Sequence, residues 1–131
     1  MTNISTTPSI LLIENEPDLL DNLSLTLEAA GYRVLTARND LEALTMLQIQ
    51  SVDLILSDIY VPIIGGYQLY KLVSNNHRWS TIPLIFFTGS RSLSDGEIRY
   101  GKALGIDEYM TKPIQPEDLL SVVQKKVPLF T

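Results

Sequence analysis

Three short runs in this 131-residue chain are apolar without alternation: SILLI (9–13), LILS (54–57) and PLIFF (83–87). A strand with one wet face alternates apolar and polar side chains, so runs of this kind must be covered on both faces. That requirement points to a parallel sheet between two helical layers. Two further runs bring the predicted strands to five: 9–13, 32–36, 52–57, 82–87 and 106–110.

Helical patterns fill the gaps. Pro17 suits a first helical turn, Leu19, Leu20, Leu23 and Leu27 recur on one face, and Gly31 ends the pattern. A second helix is predicted over 39–50, with Leu41, Leu44 and Leu47. A third starts at about Gly66 with Leu69, Tyr70 and Val73 inward, and a fourth covers 92–104. The fifth starts near Gln115 and buries Leu119, Leu120, Val123 and Val127, with Glu117 in its first turn and Lys125 and Lys126 in its last. Strand and helix alternate five times, so right-handed crossovers give one doubly wound α/β domain. The fourth helix is the weak one. Gly96 and Gly101 each cost about 1 kcal/mol against alanine, either as a plain propensity defect or to keep the element mobile.

The totals narrow the function. A hydrophobic fraction of 45% supports a proper core, and the absence of cysteine removes disulfides and thiolate chemistry and suits a reducing cytosol. A net charge of −5 disfavours nucleic acid and anionic membrane as partners, and no run is long enough to span a bilayer. Residues 1–8 read as a disordered leader, 9–127 as the domain and 128–131 as a C-terminal stub.

In open α/β sheets, ligands bind beyond the carboxyl ends of the strands. Glu14, Asn15 and Glu16 follow the first run, Asp58 the third, Thr88 and Gly89 the fourth, and Lys112 with Pro113 the fifth. Hard oxygens suit Mg²⁺, a lysine and a hydroxyl suit phosphoryl oxygens, and a carboxylate beside them can act as a nucleophile to give an acyl phosphate. Each residue alone has an ordinary reading as a turn or cap; their coincidence at one edge carries the weight.

The segments ILLIENEP, DLILSDIYVPIIGG, PLIFFTGS and GIDEYMTKP, in that order, resemble the receiver domain of two-component response regulators over nearly the whole chain. The resemblance implies a flavodoxin-like fold with strand order 2-1-3-4-5. It implies Asp58 as phosphoacceptor, with Thr88 and Lys112 contacting the phosphoryl group. Glu14, Asn15, Asp58 and the Tyr60 backbone carbonyl would hold Mg²⁺. Tyr109 would be the switch aromatic paired with Thr88, Gly66 the glycine closing the loop, and Tyr60 and Ser90 the residues tuning hydrolysis. The implied partners are a histidine kinase or histidine phosphotransfer protein, and a downstream protein on the face of the fourth helix, fifth strand and fifth helix.

The chain also departs from the family pattern. Where the family usually has two acids, it has Glu14 and Asn15, which predicts weakened Mg²⁺ binding unless the longer Glu14 compensates. An alternative reading is therefore a phosphorylation-independent pseudo-receiver that acts as a protein-binding module. Gly65 stands where an acid is common, Ile63 and Ile64 make the loop apolar, and a bulky Tyr60 is expected to slow water's approach. His77, the single histidine, reads as a surface residue. Two other classes fit less well: a flavoprotein would need a Ser/Thr/Gly-rich loop where ENEPD stands, and an aspartate-nucleophile phosphatase would need an acid where Tyr60 stands. The resemblance implies a signalling domain with self-phosphorylation and autodephosphorylation chemistry rather than a metabolic enzyme, and leaves open whether the chain counts as an enzyme.

Overall fold

A computed structural model describes residues 7–60, 62–88, 94–106 and 109–129. Five parallel strands, β1 (Ser9–Ile13), β2 (Arg33–Ala37), β3 (Leu54–Asp58), β4 (Leu84–Thr88) and β5 (Tyr109–Thr111), alternate with α1 (Pro17–Ala30), α2 (Asp40–Ile49), α3 (Gly66–Asn75), α4 (Asp95–Leu104) and α5 (Pro116–Lys126). The strand order is β2-β1-β3-β4-β5. The chain winds one way from β1 to β2 and the other way from β3 onward, so the order reverses between β1 and β3. The crevice of a doubly wound sheet opens at that reversal.

The non-alternating runs are covered as expected. Ile10, Leu12, Leu54, Leu56, Ile85 and Phe87 pack under α1 and α5 with Leu20, Leu23, Leu27, Leu119 and Val123. Leu11, Ile13 and Ile55 face the other way, against Ala43 and Leu47 of α2 and Leu69 and Val73 of α3. Phe86, Ile59 and Ile106 form a third cluster, flanked by Tyr67, Tyr70 and Tyr109. Gly31 ends α1 at φ 113° and donates its N–H back to Glu28, a conformation that favours glycine. Leu129 also packs against the cluster under α1 and α5.

The strand boundaries correct the sequence reading. Val52 and Ile106 are buried but precede the ladder, so β3, β4 and β5 begin two, two and three residues later than predicted. Apolar character reports burial and cannot tell a strand from its approach. At the other end, Asp58 and Thr88 are still paired, with Phe87 and Thr111, so β3 and β4 run one residue further. The predicted start of the fourth helix at 92–93 and residues 1–6 of the leader lie outside the described residues.

Gly66 fits a place no side chain can share. A methyl group there would meet Ile59 O at 2.6 Å, Ile59 Cα at 2.9 Å and Phe86 Cε1 at 3.0 Å. The first two contacts are backbone and cannot rotate away. Gly66→Ala is therefore expected to lower unfolding free energy by about 2–3 kcal/mol in urea titration.

Candidate functional site

Side chains alternate across a strand, so each row of core residues predicts what its next member will face. The row Ile10, Leu12 continues to Glu14, the row Leu54, Leu56 to Asp58, and Met110 to Lys112. All three point to the α1/α5 side of the sheet edge, and there they meet. Lys112 Nζ lies 2.9 Å from Glu14 Oε1 and 2.9 Å from Asp58 Oδ2. It also sits over the Phe87 ring, 5.4 Å from its centroid. The three side chains are 18%, 3% and 14% exposed for Lys112, Glu14 and Asp58. At that depth the charges attract more strongly than on an open surface, while each also loses more of its hydration.

The remaining carboxylate oxygens are held by backbone. Glu14 Oε2 accepts from Glu16 N at 2.9 Å, and Asp58 Oδ1 from Tyr60 N at 2.9 Å. Burial alone would pull the Lys112 ammonium down, but the hydrogen bonds and charges of Asp58 and Glu14 outweigh it and leave its pKa raised. The Lys112–Pro113 bond is cis.

Thr88 belongs to the opposite row, with Phe86, and is buried. Its carbonyl accepts from Lys112 N at 3.0 Å, so the threonine and the lysine adjoin through backbone. Tyr109 pairs with Phe86 and Thr111 with Thr88, which places Thr88 on the same side of the sheet as Tyr109, two residues along. Asn15 is exposed beside buried Glu14. Tyr60 is exposed, and its hydroxyl donates to Glu97 Oε2 at 2.8 Å. Ser90 lies outside the described residues. His77 is exposed.

Two residues that the sequence reading did not single out shape the rim. Asp40, fully buried at the start of α2, accepts from Ile64 N and Gly65 N, each at 2.7 Å. It holds a loop in which the exposed Ile63 has φ 90°, a strained conformation for a β-branched residue. Glu97 closes a capping box with Ser94 at the start of α4, while its carbonyl accepts from Tyr67 Oη at 3.0 Å. One residue thus joins α4 to α3 and to the loop after Asp58. Burial, and next the adjacent Tyr109 hydroxyl, raise the Tyr67 pKa.

Residues 10–124 match the family described as response regulator receiver domain. The chain belongs to that family. Protein PilG of Pseudomonas aeruginosa is 30% identical over 122 residues, covering 93% of this chain and 89% of PilG. A probable transcriptional regulator, ycf29 of Pyropia yezoensis, is 34% identical over 118 residues, covering 90% of this chain and 52% of that protein. The chain spans about half the length of several curated relatives it matches. Among solved structures, the chemotaxis response regulator CheY4 of Vibrio cholerae superposes with a TM-score of 0.83 at 30% identity, covering 93% of this chain and 100% of that one. The fold and strand order are those of CheY-like receivers, and the domain is one of two-component signalling. Among the described residues no helix is long and apolar enough to cross a membrane.

Proposed function

We propose that this domain takes a phosphoryl group onto Asp58 from a phosphohistidine of a histidine kinase or histidine phosphotransfer protein. The supporting observation is the Lys112 ammonium at 2.9 Å from both Asp58 and Glu14. It sets a fixed cation beside a partly solvent-open carboxylate, which is what phosphoryl transfer asks of a protein. An Asp58 oxygen attacks phosphorus in line. The new P–O bond forms as the P–N bond breaks, and the donor histidine leaves as imidazole after taking a proton from solvent. Lys112 and the Thr88 hydroxyl then hold the phosphoryl oxygens. Movement of Thr88 makes room for Tyr109 on the same side of the sheet, and the face of α4, β5 and α5 changes for a protein partner. Attack of water on phosphorus returns Asp58 and inorganic phosphate, with Tyr60 restricting that approach. We place this exchange in the cytoplasm.

Receivers of this family generally use Mg²⁺. The donors here are the Glu14 and Asp58 carboxylates, the Asn15 amide and the Tyr60 carbonyl, all hard oxygens that suit the ion. Each Glu14 and Asp58 oxygen accepts one hydrogen bond within the protein and keeps further acceptor capacity. Among the described residues no three acids, histidines or cysteines cluster together, so the set fits Mg²⁺ with a low charge count. When bound, the ion neutralises charge on the phosphoryl oxygens. Asn15 is also the observation behind the second reading, a pseudo-receiver that binds partners without phosphate.

Intact mass after incubation with acetyl phosphate and Mg²⁺ separates the two readings. The wild type is expected to gain one phosphoryl group and Asp58→Ala none. No gain in the wild type, with no spectral response to beryllofluoride, favours the pseudo-receiver. Asn15→Asp is expected to tighten Mg²⁺ about tenfold in titration, since affinity for hard cations follows ligand charge; equal dissociation constants would assign the deficit elsewhere.

A further inference from the structure

Helix α4 carries two interior glycines, and the structure separates their roles. A methyl group at Gly96 would meet only Ser94 Oγ, at 3.9 Å. At Gly101, which is buried, the same methyl would overlap the Tyr109 hydroxyl oxygen outright and lie 3.2 Å from Tyr109 Cζ and 3.5 Å from Tyr67 Cε1. Tyr109 thus fills a notch in α4 that exists because residue 101 has no side chain.

The occupied notch is balanced between opposing forces. The Tyr109 ring stacks on Phe86 with a centroid separation of 6.4 Å and an interplanar angle of 22°, which favours staying inside. Its hydroxyl, however, is buried beside the Tyr67 hydroxyl without a hydrogen bond of good geometry, and Tyr67 donates its own proton to Glu97 O. A buried hydroxyl with so poorly aligned a partner gains by leaving for water. Packing draws the ring in and desolvation pushes it out, so a small steric change at the notch decides the outcome.

We propose that Gly101 is the positioning residue for Tyr109: the bare backbone of α4 admits the ring where it lies, and a methyl at 101 displaces it from that place. This rests on the reading of Tyr109 as the switch residue coupled to Thr88. On that reading an inward ring belongs to the signalling state, so Gly101, by admitting the ring before Thr88 moves, holds the unphosphorylated domain closer to that state. A larger residue at 101 would make the domain more dependent on phosphate and weaker in its response.

The test compares Gly101→Ala, Gly96→Ala and the double variant Gly101→Ala/Tyr109→Phe with the wild type by NMR, first without any phosphoryl donor. Tyr109 ring protons are expected to show nuclear Overhauser contacts to Phe86 and to the Gly101 α-protons in the wild type, and the Phe86 contact in Gly96→Ala. Gly101→Ala should lose the Phe86 contact. The double variant should regain it, because the overlapping oxygen is gone and the 3.2 Å contact needs only a small shift. Beryllofluoride with Mg²⁺ is then titrated, and its apparent affinity is expected to fall roughly tenfold in Gly101→Ala and recover in the double variant. An unchanged Phe86 contact in Gly101→Ala overturns the notch. A moved ring with unchanged beryllofluoride affinity overturns its link to the switch. If the wild type itself ignores beryllofluoride, the phosphoacceptor reading fails, while the ring contacts still decide the role of Gly101.

Discussion

The site depends on one shared cation. Lys112 arrives just past β5 and holds carboxylates carried in by β1 and β3, 98 and 54 residues away in sequence. Two carboxylates gathered at one point would repel each other. The ammonium they share offsets that repulsion and leaves Asp58 placed to serve as a nucleophile. The hydrophobic rows beneath do the aiming. Ile10 and Leu12, Leu54 and Leu56, and Met110 are fixed against α1 and α5, and strand alternation then leaves Glu14, Asp58 and Lys112 no other side on which to emerge. A one-residue slip of any of these strands would turn its functional side chain to the far face.

The same alternation divides the chemistry from its readout. Thr88 stands at the pocket edge but belongs to the row of Phe86, facing the layer that holds Tyr67, Tyr70 and Tyr109. On the proposed reading, a displacement of Thr88 would be transmitted into an aromatic cluster under α4. Glu97 adds a second link, from the loop after Asp58 to the first turn of α4. A poor helix with two interior glycines, tied at its start and notched near its end, is suited to small concerted shifts.

Much of this was legible in the sequence because it follows from local rules. Unbroken apolar runs announce a doubly covered sheet; Glu14, Asp58 and Thr88 stand just past those runs, and Lys112 just past the fifth predicted strand. What was not legible depends on neighbours remote in sequence. Asp40 reads as an ordinary helix-start acid until the amides of Ile64 and Gly65 are seen on it. Glu97 reads as a capping residue until two tyrosines converge on it. Gly101 and Gly96 look alike in the sequence, and only Tyr109 distinguishes them. Strand starts were misplaced for the same reason: Val52 and Ile106 are buried by tertiary contacts and not by the ladder.

The most direct test of the shared cation is its own titration. Observed through its side-chain nitrogen by NMR, the Lys112 ammonium should titrate above the ordinary lysine value of 10.5, and Asp58→Asn should bring that pKa down. A Lys112 pKa below 10.5 in the wild type, or one that does not change when Asp58 loses its charge, would contradict the account.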